Sequence, residues 1–382
     1  MKQAVLISCS DHYAHRLAIF DRVLREMGYA ATYVTSDFDH TAKQRFSCAV
    51  PGCVQLPVPA YRRNLSAARI LSHRAFARSV LRWLEALPEE PAVVLALLPP
   101  NYLAAYLARY KRRHPNVRLH FDIFDLWPES FPSARLKALL RLPFAVWAGL
   151  RDRNLGAADR ITTECELFRT RLDLPPARAQ VCYFSLPDCA AAPEPPDAAQ
   201  AQIAYLGAIN NLIDIPRIAA FLGALARRMP VTLHIIGDGE QRPAFCEAAQ
   251  AAGAAVVYHG KIFDGAEKDA ILGGCHFGLN VMKDAVCIGL TMKSVDYLRH
   301  GLPLINTIGA DTASLLRQHG AGIELRGAEE TAEAVAAAIR GGTQPMRLAA
   351  RRLYDTLFSE QAAQASCRGA LEHLLLTGER HE

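Results

Sequence analysis

The sequence predicts an α/β protein built from two tandem Rossmann-like, doubly wound domains. Its 382 residues exceed what a single hydrophobic core usually organises. Short apolar and β-branched runs alternate with longer helical patterns throughout, which is typical of parallel sheets covered by helices on both faces. A proline-rich stretch, Pro187 to Gln200, separates two such series. We therefore expect a first domain at 1–186, a linker at 187–200 and a second domain at 201–357.

The strands of the first series are short runs bounded by turn residues. They are predicted at Gln3–Ser8, Ala30–Thr35, Val54–Pro57, Ala92–Leu97, Arg118–Asp122 and Arg160–Thr163. The helical patterns between them include Tyr13–Met27, Ser66–Leu87 and Leu103–Arg113. This alternation predicts a parallel sheet whose carboxyl edge carries the ligand-binding loops.

The second series repeats the pattern after the linker. Its predicted strands are Gln202–Leu206, Val231–Ile236, Ala255–Tyr258, Phe277–Val281, Leu304–Ile305 and Ile323–Leu325. Two further helices, Met346–Leu357 and Gln361–Leu376, follow without another strand. The local pattern alone does not indicate where these last helices pack.

Composition excludes several classes of protein. With 51% hydrophobic and 21% charged residues, the chain is too apolar for intrinsic disorder. The apolar run Ala4 to Ser8 is too short for a signal peptide, and Pro99-Pro100-Asn101 interrupts the longest uncharged stretch, so we expect no transmembrane helix. The ten cysteines show no Cys-x-x-Cys pair and no zinc spacing, which indicates reduced cytosolic thiols and no metal site.

Positive charge is concentrated in the first half. Residues 1–185 hold 26 Lys+Arg against 16 Asp+Glu, a net charge of +10, whereas the remainder carries −5. The basic residues cluster from Ala60 to Leu84 and, interleaved with apolar residues, from Ser133 to Arg153. Basic amphipathic helices suit an anionic membrane surface, although solvated faces of ordinary helices have the same pattern. No nucleic-acid-binding motif accompanies the arginines, so we expect no nucleic-acid partner.

Two glycine turns follow predicted strands of the second domain. Gly237-Asp238-Gly239 comes after the strand that ends at Ile236, and Gly207 opens a turn that includes Asn210. Glycine lets a backbone approach a phosphate, and the N-terminus of the following helix favours anions. A plain strand-to-helix turn needs glycine as well, so both interpretations stay open.

The segment richest in candidate chemistry follows Lys283. A loop containing Gly289 leads into a helix that starts near Thr291, where free amides and the positive end of the dipole can hold a diphosphate. Lys293 adds a full charge there, and Asp296 lies one turn further, within reach of ribose hydroxyls. The alternative is an amphipathic helix whose Lys and Asp are solvated.

These motifs in combination resemble family 4 glycosyltransferases. The pattern Met-Lys-Ser-x-Asp-Tyr-Leu-x-x-Gly-Leu-Pro-Leu-Ile from Met292, with Ile-Gly-Asp-Gly and Tyr-His-Gly-Lys-Ile upstream, is similar to their donor-binding domain. Asp-Leu-Trp-Pro from Asp125 is similar to a motif of bacterial surface-polysaccharide members. The resemblance covers roughly residues 1–365. It implies the GT-B architecture of two domains facing across a cleft, with the final segment, 358–382, packing back on the first domain.

The resemblance also implies a nucleotide-sugar donor, no cofactor, no obligatory metal and retention at the anomeric carbon. Asp296 matches the second glutamate of the family's acidic pair, which binds the ribose, whereas Ile288 stands where the first acid is expected. Lys293 is expected to meet the diphosphate, and Lys261 and Ile262 to contact the base. The full set of expected donor-binding residues is Gly207, Asn210, Gly237, Lys261, Ile262, Gly289, Leu290, Thr291, Lys293, Ser294 and Asp296.

The acceptor is expected to bind the first domain. Asp125, just after a strand, is the candidate that takes or orients the acceptor's proton, unless it only caps the following turn. Lys293 would stabilise the leaving oxygen, and His12 is a weaker catalytic candidate. Further acceptor-side candidates are Arg62, Arg63, Asn64 and Glu129. Arginine is suited to bidentate phosphate binding.

The sequence thus predicts a glycosyltransferase that moves a sugar from a uridine-linked donor to a lipid-linked or polysaccharide acceptor in surface-glycan synthesis. We expect it to be cytoplasmic and peripheral on the inner face of the cytoplasmic membrane. Two alternatives remain: a nucleotide-sugar 2-epimerase of the same fold, and a non-catalytic donor-binding scaffold at the membrane surface.

Overall fold

The structure, a computed structural model, describes residues 1–10, 14–63, 66–131, 134–189, 196–284 and 287–376. The chain forms two compact units. Unit 1 comprises Met1–Tyr183 and Ala363–Glu382, and unit 2 comprises Phe184–Ala362. The middle of the predicted linker, 190–195, lies outside the described residues.

Unit 1 is built on a sheet of seven parallel strands in the described part of the chain, in the order β5-β2-β1-β6-β7-β8-β9. A separate hairpin pairs β3 with β4. The strands are β1 (Lys2–Ile7), β2 (Tyr29–Ser36), β3 (Phe38–Asp39), β4 (Gln44–Arg45), β5 (Val54–Leu56), β6 (Val93–Leu98), β7 (Arg118–Ile123), β8 (Arg160–Thr163) and β9 (Ala179–Val181).

Helices cover both faces of this sheet. They are α1 (Ala14–Glu26), α2 (Ala67–Glu85), α3 (Asn101–Arg113), α4 (Ala134–Leu139), α5 (Arg141–Asp152) and α6 (Glu166–Arg171). Because successive side chains of a strand point to opposite faces, β1 sends Val5 and Ile7 into the core under α2 and α3, and Ala4 and Leu6 into the other core. Strand β6 is buried at every position, as expected at the centre of a parallel sheet.

Unit 2 contains a second parallel sheet of six strands, counted over the residues that the structure describes, in the order β12-β11-β10-β13-β14-β15. These strands are β10 (Ala201–Leu206), β11 (Val231–Ile236), β12 (Ala255–Gly260), β13 (Phe277–Asn280), β14 (Leu304–Asn306) and β15 (Gly322–Glu324). Its helices are α7 (Ile215–Ala226), α8 (Arg242–Ala251), α9 (Gly265–Gly273), α10 (Met292–Arg299), α11 (Ala310–His319), α12 (Ala328–Gly341) and α13 (Gln344–Leu357).

The last helix, α14 (Glu360–Leu376), belongs to unit 1 from Ala363 onward. Its Cys367, Leu371 and Leu374 are buried in the same core as Phe20 of α1. The two parallel-sheet α/β units confirm the predicted fold class. None of the ten cysteines, all of which the structure describes, forms a disulfide bond. None of the described helices is both long and apolar enough to cross a membrane.

Candidate functional site

The two glycine turns of unit 2 pack directly against each other at the carboxyl edge of its sheet. The Ile209 amide donates to the Asp238 carbonyl oxygen at 3.0 Å. Gly237 has φ +136°, and a β-carbon there would overlap the carbonyl oxygen of Gly207. A β-carbon at Gly239 would overlap the Ile209 carbonyl in the same way. These glycines are therefore required by the contact between the turns, whatever ligand the edge binds.

Helix α10 begins with a complete capping box. The Thr291 hydroxyl accepts from the Ser294 amide at 3.2 Å, and the Thr291 amide donates to the Ser294 hydroxyl oxygen at 3.3 Å. Thr291 Oγ1 also donates to Asn280 Oδ1 at 2.9 Å, which ties the helix start to the end of β13. Within the described residues, the amides of Met292 and Lys293 donate to no other group. They are the donors that an anion at this helix end would meet.

Lys293 is a cation in a half-buried position on the first turn of α10. Its ammonium nitrogen lies 4.6 Å from the centroid of the Tyr205 ring. Burial lowers the pKa of Lys293 from its usual 10.5 to about 8. In the described part of the chain no carboxylate forms an ion pair with it. A diphosphate would supply the missing counter-charge.

The carboxylate of Asp296 is fixed by ion pairs. Lys268 Nζ on α9 lies 2.8 Å from its Oδ2, and Arg299 Nη2 lies 2.8 Å from its Oδ1. One turn on, His300 Nδ1 lies 2.6 Å from the Asp296 carbonyl oxygen, and His300 Nε2 lies 2.7 Å from Asp269 Oδ1. The Asp296 side chain is only 12% exposed, and the two ion pairs fix the position of its carboxylate, the group predicted to bind the ribose.

The remaining donor-side candidates follow strand ends of the same sheet. Asn210 Oδ1 accepts from the Leu212 amide at 2.9 Å and so serves its own turn. Lys261, which is exposed, and Ile262 directly follow β12. Gly289 is buried, its carbonyl accepting from Thr312 Oγ1 at 2.7 Å, and the next residue is the buried Leu290. Since the carboxyl ends of parallel strands share one edge, these residues lie along a single edge of unit 2. Their donor-binding role stays a prediction.

One trio in unit 2 has the spacing of metal ligands. Ligand atoms of Cys189, Asp269 and His300 lie within 4.8 Å of one another. Arg299 Nη2 lies 3.6 Å from Asp269 Oδ1, and both ring nitrogens of His300 face oxygen acceptors. A guanidinium beside the carboxylate and a ring engaged at both nitrogens suit a charged hydrogen-bond network rather than a bound cation.

Unit 1 contains a cavity of about 250 Å³ at the carboxyl edge of its sheet. It is formed by the loops after β1, β2, β5, β6 and β7 together with the first turns of α2. Its polar and aromatic wall includes Ser10, Ser36, Arg69, His73, Asp125 and Trp127. This is the edge where open parallel sheets bind ligands.

Asp125 lines this cavity. Its Oδ1 accepts from the Ser130 hydroxyl at 2.8 Å, so it also holds the turn that follows it. Burial raises the pKa of Asp125 above its ordinary value, although hydrogen bonds from Ser130 and Trp127 act in the opposite direction. A carboxylate with a raised pKa at the wall of a cavity suits proton transfer or orientation of a hydroxyl.

Arg69 is the cavity residue that sequence reasoning missed. It lies in the first turn of α2, where the Ser66 hydroxyl accepts its amide at 3.2 Å. Its guanidinium lies 5.6 Å from the centroid of the Trp127 ring, and its Nε lies 3.4 Å from His73 Nε2. Burial, with the charge of Arg69, lowers the pKa of His73 to about 3. The available signal was the N-cap at Ser66, which places Arg69 near the carboxyl edge of the sheet.

The other acceptor-side candidates are placed differently. Arg62 and Arg63 are exposed and do not line the cavity. Glu129 forms a two-pronged pair with the fully buried Arg151, at 2.7 and 3.2 Å. Arg151 also donates to the Trp127 carbonyl at 2.9 Å, so the pair anchors the Asp125–Ser130 loop on α5. His12 and Asn64 lie outside the described residues.

Helices α4 and α5 carry an exposed apolar surface. Leu139 and Leu142 are each 78% exposed and Val146 is 68% exposed. Lys137 and Arg141 lie among them, and the sequence has no acidic residue from 134 to 151. Large apolar side chains at this exposure commonly mark an interaction surface.

Comparison with known proteins bears on the fold. No protein-family model matches the chain, and no curated protein matches it in sequence. The sucrose-phosphate synthase of Thermosynechococcus elongatus superposes with a TM-score of 0.69 at 13% identity, covering 99% of this chain and 100% of the other. HepE of Anabaena in complex with UDP gives 0.66 at 13% identity over 97% and 100%. The lipopolysaccharide outer core galactosyltransferase WaaB gives 0.63 at 13% identity, over 99% of both chains. The two units thus have the GT-B fold of these glycosyltransferases.

Proposed function

We propose that the protein is a family 4 glycosyltransferase that transfers a sugar from a UDP-sugar to a lipid-linked or polysaccharide acceptor in surface-glycan biosynthesis. The observation that carries the proposal is Lys293, a cation without a carboxylate partner among the described residues, at the capped start of α10. The fold supports the same conclusion, since similar structures include HepE with bound UDP.

The reaction breaks the bond between the anomeric carbon and the diphosphate and forms one to an acceptor oxygen. Lys293 and the amides at the start of α10 would stabilise the charge on the leaving diphosphate. Asp296 would bind the ribose hydroxyls, and Asp125 would accept or orient the acceptor proton. In this proposal Lys293 and the helix meet the diphosphate charge without a divalent ion, and the anomeric configuration is retained as the family resemblance implies.

The apolar surface of α4 and α5 supports a peripheral contact with an anionic membrane. Leu139, Leu142 and Val146 would enter the interface between headgroups and acyl chains, while Lys137 and Arg141 pair with lipid phosphates. A lipid-linked acceptor would be presented at that surface. In this proposal the protein acts on the cytoplasmic face of the membrane.

Nucleotide binding to the full chain tests the donor site. UDP at 100 times its dissociation constant should stabilise the protein by about 2.7 kcal/mol, which a thermal-shift assay without metal detects. We expect Lys293→Met and Asp296→Asn to abolish the shift, and the matched exposed control Arg352→Gln to keep it. No shift with uridine, guanosine or adenosine diphosphates or their sugar conjugates would refute the donor site, as would a UDP shift that both variants retain.

Product analysis then separates the candidate activities. Free UDP together with a glycosylated lipid identifies the transferase. A donor recovered with inverted configuration at the sugar C2 identifies the epimerase instead. Donor binding without turnover in the presence of lipid-linked glycans identifies a scaffold.

A further inference from the structure

We propose that Cys48 and Cys53 form a redox-active dithiol, which a hydroperoxide converts reversibly into a disulfide bond. Both cysteines lie in the loop between β4 and β5 of unit 1. This modification site contains none of the residues proposed for sugar transfer, so the inference does not depend on the proposed function.

The chain between the two cysteines reverses direction in a tight turn. The Cys53 amide donates to the Val50 carbonyl oxygen at 3.2 Å, which closes a turn of four residues. Pro51 and Gly52 occupy its central positions, and Gly52 has φ +73°, as is typical of a type II turn. Because the chain turns back here, Cys48 and Cys53 lie beside each other although they are five residues apart in sequence.

The backbone around Cys48 is held by a residue of β5. The Cys48 amide donates to Gln55 Oε1 at 3.0 Å, and Gln55 Nε2 donates to the Phe46 carbonyl oxygen at 3.0 Å. One glutamine side chain thus binds the chain on both sides of Ser47. Since Cys53 is only two residues before Gln55, the same contacts fix Cys48 relative to Cys53. Two groups held in place react with each other more readily than two free ones.

The two thiols are in contact. The Cys53 thiol donates a hydrogen bond to the Cys48 sulfur, and burial together with this bond raises the pKa of Cys53 to about 12. Cys53 therefore keeps its proton, and Cys48 is the thiol that reacts first. Two sulfur atoms that already contact each other are placed to join in a disulfide bond.

Oxidants can reach this pair. Cys48 and Cys53 are both partly exposed, and Pro51 and Gly52, at the tip of the turn, are exposed. Cys182 and Cys367 are also within hydrogen-bonding distance of each other, but their exposures are 0% and 2%. Oxidation of a thiol requires access to solvent as well as a nearby partner. We therefore expect Cys48 and Cys53 to react in the folded protein and the buried pair to stay reduced.

The oxidation takes two steps. The Cys48 thiolate attacks an oxygen of hydrogen peroxide and breaks the O–O bond, which gives a sulfenic acid and a hydroxide that takes up the proton Cys48 had released. The Cys53 sulfur then attacks the Cys48 sulfur, and the departing hydroxide leaves as water with the Cys53 proton. Two thiols and one peroxide thus give one disulfide and two waters. Thiol exchange with glutathione reverses the reaction.

Peptide mass analysis of the full chain tests this. Trypsin cuts after Arg45 and Arg62, so both cysteines lie in one peptide, 46–62. After treatment of the folded protein with a small excess of hydrogen peroxide, we expect this peptide to be lighter by two hydrogen atoms and to resist alkylation until it is reduced. Cys53→Ser should leave Cys48 as a sulfenic or sulfinic acid. The control Cys246→Ser, a partly exposed cysteine of unit 2, should leave the oxidation of 46–62 unchanged.

A second variant tests whether the loop holds the thiols together. Gln55→Ala should lower the equilibrium constant for disulfide formation against glutathione roughly fivefold, the effect expected of one ordinary hydrogen bond. The exposed control Gln250→Ala, on α8, should not change it. The proposal is overturned if peptide 46–62 oxidises no faster than the buried Cys182 and Cys367, if its cysteines pair with other cysteines instead, or if Gln55→Ala has no effect on the equilibrium.

Discussion

Replacing Lys293 by methionine should stabilise unit 2. Burial lowers the pKa of Lys293 from 10.5 to about 8. At neutral pH, the charged Lys293 therefore lowers the free energy of unfolding by about 3 kcal/mol. Because the side chain is partly exposed to solvent, we reduce this figure to about 2 kcal/mol. Methionine fills the same space against Tyr205 without the charge. We expect Lys293→Met to raise the free energy of unfolding of unit 2 by about 2 kcal/mol at pH 7 and to lose UDP binding.

The stability gained by Lys293→Met should depend on pH, and the lowered pKa of Lys293 fixes the direction of that dependence. Between pH 8 and 10.5 the unfolded chain holds the lysine proton and the folded chain does not, so wild-type stability rises with pH through this range. The advantage of Lys293→Met is therefore full below pH 8 and lost as the pH approaches 10.5. The other titrating groups are the same in both proteins, so their contributions cancel in the stability difference between variant and wild type.

Native-state hydrogen exchange of amides in β10 and β13 measures the stability of unit 2. All three tryptophans, at 83, 127 and 147, lie in unit 1, so their fluorescence during urea unfolding serves as an internal control that should not change. Lys283→Met, at an exposed position of the same unit, should have no effect on stability. A variant less stable than wild type at pH 7, or an advantage independent of pH, would refute the reasoning.

Three further predictions concern packing and surface. Gly237→Ala should destabilise unit 2 by more than about 2 kcal/mol in urea unfolding, because its β-carbon would overlap the neighbouring turn, whereas Gly265→Ala, in open space, should change little. Glu129→Gln should lower the free energy of unfolding by about 3 kcal/mol, because the buried guanidinium of Arg151 loses a carboxylate partner. Asp152→Asn should lower it by less than about 1 kcal/mol, because the Asp152 side chain is about half exposed. Leu142→Ser should leave the melting temperature unchanged and weaken flotation with anionic vesicles severalfold; unchanged flotation would remove α5 from the membrane contact.

Sequence patterns located the central strands of the sheets well, because a short run that is apolar at every position is typical of a strand buried on both faces. The run Val93–Leu98 is apolar at every position, and its predicted bounds fall within one residue of β6. In the basic segment 133–153 the pattern predicts amphipathic helical structure without showing the break at Leu140 between α4 and α5. Pro143 is consistent with a new helix start there, since proline is tolerated in the first turn and not further on.

The site is harder to predict because its contacts join distant parts of the chain. The helix start at Thr291 follows from a local cap and is located correctly. The pairing of Asp296 with Lys268 spans 28 residues and two helices, so no local pattern contains it. Glu129, a predicted acceptor-side residue, pairs with Arg151, which lies 22 residues later on α5, so no local pattern contains this contact either. The sequence assigns Arg69 to a basic run but not to a cavity, because the direction in which its side chain points depends on how α2 packs on the sheet.

The assignment of the end of α14 to unit 1 has a consequence for synthesis. Unit 1 begins the chain, yet part of one of its cores, including Leu371 and Leu374, is encoded last. Unit 2 is continuous in sequence and about 180 residues long. At roughly 5–20 residues per second, the ribosome needs about 10 to 35 s to make unit 2 before these side chains emerge. Unit 2 can therefore complete its fold first. Until translation ends, the core between β1 and α1 is incomplete and its apolar surface is exposed.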